Sequence, residues 1–100
     1  MNIIESIKKA KKDNVVLLTT DKKTASELKH DLTIKAEYSS GRCFTLENKN
    51  ISVISLLEDP FAEVLEYSLV YVNWKSYKKD KETEDRLIKW EKGAKQIIRN

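Results

Sequence analysis

The run Val15-Val16-Leu17-Leu18 constrains this chain more than any other stretch. Four consecutive apolar residues, the first two β-branched, are followed by Thr19-Thr20. A strand with one wet face alternates apolar and polar residues; this one does not, so it reads as a strand covered on both faces. It must achieve that within 100 residues. A chain this short hides about two-thirds of its unfolded surface, which allows one small domain over residues 1–100. Apolar residues are 40 % of the total, too many for a disordered tail. Two glycines and one proline exclude collagen-like and flexible-linker chains.

On either side of that run the pattern alternates between helix and strand. Residues 2–12 read as a helix, with Ile3, Ile7 and Ala10 on one face, Asn2 as N-cap and Glu5 at capping-box spacing. Thr24 with Glu27 repeats the capping-box pattern and, with Ala25 and Leu28, marks a short helix. Leu32, Ile34, Ala36 and Tyr38 alternate with Thr33, Lys35 and Glu37, as a half-buried strand does. Ser39-Ser40-Gly41 is a turn signal leading to Arg42–Glu47, so the two runs read as a hairpin. Asn48-Lys49-Asn50 is a second turn, and Ile51–Ile54 a third strand. Asp59-Pro60 reads as N-cap and first helical residue of a short helix carrying Phe61, Val64 and Leu65. Residues 68–74 have strand composition, which favours helix then strand over one long helix from 60 to 77. The last element reads as an amphipathic helix. Leu87, Trp90, Ala94 and Ile97 form its stripe, and Glu82–Arg86, Asp85–Lys89 and Glu91–Lys95 stand at i, i+4. Gly93 is its weak point. The fold expected is α+β: an antiparallel or mixed sheet of about four to five strands with an N-terminal helix, a short central helix and an amphipathic C-terminal helix.

Catalytic and metal-binding patterns are thin. His30 is the only imidazole and stands between Lys29 and Asp31, as a solvated histidine does. Cys43, beside Arg42, is the only cysteine, so no internal disulfide forms and the cytoplasm is the expected compartment. Residues 51–74 hold Glu58, Asp59, Glu63 and Glu66 and no Lys or Arg, which reads as a solvated acidic face. There is no phosphate-binding glycine loop, nucleophile elbow or zinc motif. The expectation is a protein that is not an enzyme and needs no cofactor or metal. No apolar run reaches the roughly 18 residues that span a bilayer, and the N-terminus lacks the order of a signal peptide.

The positive features are basic and aromatic. Tyr71, Trp74 and Tyr77 run into Lys75, Lys78 and Lys79, and this set is the candidate ligand site, although strand parity puts Tyr71 and Trp74 on opposite faces and reads at least one of them as core. Lysine supplies charge for a phosphate and the rings supply stacking. Lys8, Lys9, Lys11 and Lys12 form a second basic cluster. The net charge is only +3, with three arginines, so the charge argument is local rather than global. Leu87, Trp90, Ala94 and Ile97 form a candidate interface if the last helix packs on a partner.

The opening Met1-Asn2-Ile3-Ile4-Glu5-Ser6-Ile7-Lys8-Lys9-Ala10-Lys11-Lys12, followed by a strand, resembles the start of the anti-Thoeris nucleotide sponges. These are small phage proteins that sequester a cyclic ADP-ribose-type immune signal. Glu58-Asp59-Pro60-Phe61-Ala62-Glu63 with Val64–Val70 is similar to that family's closing segment. The chain departs from the family where Thr19-Thr20-Asp21 replaces a Gly-Trp-Asn pattern, where Leu65 occupies a tryptophan position, and over residues 75–100, which have no counterpart. The resemblance implies a homo-oligomer with pockets between subunits and no catalysis. The function expected is a small cytoplasmic binding protein of phage or mobile-element type that sequesters an anionic nucleotide or blocks a host defence partner. The alternatives are a nucleic-acid-associated protein using its lysine clusters, and an interaction module acting through its last helix.

Overall fold

A computed structural model describes residues 3–36, 38–40 (backbone), 43–74 and 80–99. Among the described residues the order is α1 (Ile3–Lys9), β1 (Asn14–Thr19), α2 (Lys22–Lys35), β2 (Tyr38–Ser40), β3 (Cys43–Leu46), β4 (Lys49–Ser55), β5 (Tyr67–Tyr71), α3 (Lys81–Gly93) and β6 (Ala94–Arg99). The strands form one mixed sheet in the order β2-β3-β4-β1-β5-β6. β1 is parallel to both β4 and β5, and β5 is parallel to β6. β2, β3 and β4 form an antiparallel meander at the other edge. The architecture is therefore α+β with a mixed sheet, as expected, although the sheet has six strands.

β1 lies at the centre because its sequence permits nothing else. Val15, Val16, Leu17 and Leu18 are 0–1 % exposed. Val15 and Leu17 point into a core with Ile7, Ala25, Leu28 and Leu32 of the first two helices and with Phe44, Ile51 and Val53. Val16 and Leu18 point into a second core with Ile54, Leu56, Tyr67, Leu69, Tyr71 and Trp90. Each face thus has its own cover, α1 and α2 on one and α3 with Phe61 and Val64 on the other.

Local chemistry fixes the ends of these elements. The Asp21 carboxylate accepts the Thr24 N–H at 2.7 Å and caps α2; Asp80 does the same for α3 through Thr83 N–H at 2.7 Å. The Lys49 ammonium donates to the Ile7 and Ala10 carbonyls at 2.7 and 2.6 Å, placing a cation on the C-terminal end of α1. Glu47 and Asn48 both have positive φ, which is the two-residue I′ turn that joins β3 to β4. The hairpin turn falls there rather than at Asn48-Lys49-Asn50.

Three expected elements differ. Residues 32–35 end α2 instead of opening a strand, with Leu32 buried and Ile34 72 % exposed. Leu28 and Leu32 share a helical face with Ala25, and that 3.6-residue period outweighs the short alternation. Residues 60–66 form no helix. Residues 56–66 return from the end of β4 to the start of β5, about 16 Å along the strand direction, as an irregular strap that lays Phe61 and Val64 on the second core. Asp59 accepts the Ser55 N–H at 2.8 Å, closing the turn after β4 rather than capping a helix.

The last element changes type in its middle. α3 stops at Gly93, and Ala94–Arg99 pair with Tyr67–Tyr71 as β6. A continuing helix would take the Trp90 carbonyl for the Ala94 N–H. Here the Tyr67 hydroxyl donates to that carbonyl, and the Ala94 N–H bonds to Glu91 O instead. Glycine permits the approach: a Cβ at Gly93 would lie 2.8 Å from Tyr67 Oη and 3.3 Å from Cε1. Tyr67 is 1 % exposed and cannot swing aside. Burial also raises its pKa, keeping the phenol in the donating form.

In an unconstrained helix Gly93→Ala would stabilise by up to about 1 kcal/mol. Here it should destabilise by about 1–3 kcal/mol in urea unfolding, through overpacking against Tyr67. Much of that loss should disappear in a Tyr67→Phe background, where the clashing oxygen is gone. A stabilised Gly93→Ala single variant would contradict this account of where α3 ends.

Candidate functional site

The crossovers divide at the centre of the sheet. From the C-terminal end of β1 the chain passes through α2, over one face, toward β4. From the C-terminal end of β5 it passes through α3, over the other face, to β6. β1 and β5 are neighbours, so the chain leaves their carboxyl ends toward opposite faces of the sheet. Ligands of open sheets with parallel strands bind at such points. Thr20 and Asp21 flank this point from β1; Asn73 and Trp74 flank it from β5. The buried Thr20 hydroxyl has no hydrogen-bond partner among the described residues.

Asn73 has φ 44°, a left-handed conformation that asparagine tolerates better than most residues. β5 has already ended at Tyr71, so strand parity does not carry Trp74 to the opposite face. The two rings meet edge to face, with centroids 4.7 Å apart. Tyr71 is core at 5 % exposure and Trp74 is 36 % exposed. Arg99 is Tyr71's register partner on β6, and its guanidinium stands 4.8 Å from the Tyr71 ring centroid. Glu91 Oε2 accepts the Tyr71 hydroxyl at 2.5 Å and lies 3.4 Å from Arg99 Nη2. The site is therefore two contacting rings, a cation over one of them, and a carboxylate bonded closely to the phenol and more distantly to the cation.

Of the six residues expected at the ligand site, the structure brings Tyr71 and Trp74 together. Lys75, Tyr77, Lys78 and Lys79 lie outside the described residues. Arg99 and Glu91 join the site unannounced. Both read as parts of a terminal helix, Glu91 as the i, i+4 partner of Lys95, and that geometry ends with the helix at Gly93. Glu82–Arg86 does form, at 2.7 Å. The Arg86 guanidinium also donates to the Leu56 and Leu57 carbonyls at 3.3 and 3.0 Å, clamping the strap after β4 onto α3.

The second basic cluster is elsewhere. Lys8 and Lys9 end α1, and Lys11 and Lys12 precede β1, at the N-terminal end of the parallel strands. The Lys11 and Lys12 N–H groups donate to Gln96 Oε1 at 2.8 Å and to Ser68 Oγ at 3.3 Å, fastening this loop to β5 and β6. A hollow of about 350 Å³ there is lined by Lys11, Lys12, Asp13, Asn14, Leu65 and Glu66, two cations against two carboxylates. A second hollow, about 560 Å³, lies between Pro60-Phe61 and α3 and is likewise of mixed sign, with Lys81, Arg86 and Lys89 beside Glu82 and Asp85. Neither includes Tyr71 or Trp74.

The expected interface residues turn largely inward. Trp90 is 0 % exposed and packs edge-on against Phe61 and Tyr67 within its own chain. Leu87 and Ala94 are half-buried against the same core, Ala94 as the first residue of β6. Ile97 is 40 % exposed, on a strand rather than on a helix stripe. Cys43 is exposed on β3, its Sγ 4.0 Å from Ser52 Oγ. Among the described residues no group of three or more His, Cys, Asp or Glu could hold a metal, and no helix is long and apolar enough to cross a membrane.

No protein-family model, curated protein or solved structure matches this chain.

The two tryptophans should separate spectroscopically. In a Trp74→Phe variant the remaining emission, from Trp90, should be blue-shifted and resist acrylamide, while the quenchable component of the wild type disappears. Strong quenching in that variant would contradict the burial of Trp90.

Proposed function

We propose that this protein binds a small anionic ligand carrying a planar ring, a nucleotide being the best fit, at the C-terminal ends of β5 and β6, and sequesters it rather than converting it. The observation that carries the reading is the Tyr71–Trp74–Arg99 assembly beside the division of the crossovers. A half-exposed indole supplies a stacking face of the kind worth about 1–3 kcal/mol per base. An arginine whose side chain is 71 % exposed supplies a forked donor for phosphate oxygens. Lys75, Lys78 and Lys79 follow Trp74 directly in sequence and add positive charge to the same stretch. The resemblance to the anti-Thoeris sponges supports the same ligand class, and with it a phage or mobile-element protein that sequesters a nucleotide signal or blocks a host defence partner, acting as a cytoplasmic homo-oligomer.

The nucleic-acid alternative asks for one continuous basic face. Lys8 and Lys9 lie at the N-terminal end of the parallel strands and Trp74 at the opposite end, which favours a local ligand instead. The interaction-module alternative keeps one observation, the exposure of Ile88 and Ile97 at 56 and 40 %.

Titration calorimetry with ADP and ADP-ribose tests the reading. Trp74→Ala and Arg99→Ala should each weaken binding by about tenfold or more, the size of one lost stacking or charge-assisted contact. Joint replacement of Lys8, Lys9, Lys11 and Lys12 by alanine should leave affinity within about twofold at physiological salt. Equal loss from the distant lysines, or none from Trp74 and Arg99, would overturn it.

A further inference from the structure

Resting on that site, we infer that Glu91 occupies the place of the ligand's anion in the free protein, and that binding displaces it from Arg99. One carboxylate oxygen, Glu91 Oε2, serves two partners at once. Its contact with the Tyr71 hydroxyl is short, at 2.5 Å; its contact with Arg99 Nη2 is long, at 3.4 Å. The phenol therefore fixes the carboxylate, and the arginine only leans toward it. Glu91 Oε2 is the sole ion-pair acceptor that Arg99 has among the described residues, while the Arg99 side chain is 71 % exposed and that of Glu91 only 30 %. A guanidinium presents five donors in a planar fork. A phosphate brings more oxygens and more charge than one carboxylate oxygen at 3.4 Å, so it takes over the fork in bidentate geometry.

The exchange gives the site its selectivity. A neutral ring compound can stack on Trp74 but gains nothing by opposing Glu91. A ligand with a terminal phosphate is needed to outcompete the carboxylate. Tyr71 retains Glu91 after the exchange, so the displaced group stays nearby and closes on Arg99 again when the ligand leaves.

Calorimetry of the full chain with ADP and adenosine as probes tests this. Glu91→Gln keeps a carbonyl oxygen for the Tyr71 hydroxyl, so the local packing survives. It removes a competitor of the strength of a half-exposed ion pair, and ADP should bind about two- to fivefold tighter. Adenosine affinity should not change. In an Arg99→Ala background Glu91→Gln should have no further effect on ADP. Glu27→Gln, the same charge change on the opposite face of the sheet, should leave ADP affinity unaltered. If Trp74→Ala and Arg99→Ala weaken ADP binding but Glu91→Gln does not strengthen it, or if Glu27→Gln strengthens it equally, displacement is wrong and the site stands. If neither wild type nor Glu91→Gln binds ADP, or if binding ignores Trp74 and Arg99, both the displacement and the site fall.

Discussion

One hydrogen bond governs the second half of this molecule. The Tyr67 hydroxyl donates to the Trp90 carbonyl, the acceptor that α3 would need for its next turn. The Ala94 N–H bonds to Glu91 O instead, the helix ends at Gly93, and the chain leaves as a strand that pairs with β5. The register then places Arg99 against Tyr71, four residues beyond Tyr67 on the same strand. The aromatic–guanidinium site is thus a consequence of where a helix stops. Had the helix run on, Arg99 would have been two and a half turns beyond Trp90 on the same helix and unpaired with β5, and Glu91 would have faced Lys95.

The rest of the fold meets the demand of β1. Four consecutive apolar side chains with no wet face require cover on both sides, and two hydrophobic cores result. A short chain builds them with one α-helical layer on one face and, on the other, a single helix completed by the irregular strap that carries Phe61 and Val64. Cover on both faces also sends the crossovers from β1 and β5 to opposite sides, and the candidate site lies beside that division. The central constraint and the candidate site are therefore linked through topology.

Legibility in the sequence followed the range of the interactions. Elements set by local chemistry were readable: the doubly buried β1, the β3–β4 pairing and β5, whose Val70 and Tyr71 favour a strand. Tyr71 and Trp74 were readable as candidates because of their residue types, but their contact was not, since strand parity set them on opposite faces. The alternation at Leu32–Tyr38 misled because Leu32 serves a helix face and a strand pattern equally well. Ala94 and Ile97 extend the spacing of Leu87 and Trp90 without a break, so nothing local marks the change from helix to strand. The cause is a hydroxyl 23 residues earlier. Arg99 and Glu91 stayed hidden for the same reason, since their meeting with Tyr71 exists only after that change. The one trace was Gly93, which reads as a weakness in a helix and is in fact the opening through which Tyr67 reaches the backbone.

The central claim is that residues 94–99 are a strand on β5 and not the end of a helix. Backbone NMR chemical shifts, together with interstrand contacts, test it most directly. Helical shifts should run through Lys92 and extended shifts from Ala94 to Arg99, with backbone contacts that join Leu69 to Ile97 and Val70 to Ile98. Helical shifts continuing unbroken through Ile97, with no contact to β5, would contradict it and would remove Arg99 from the site.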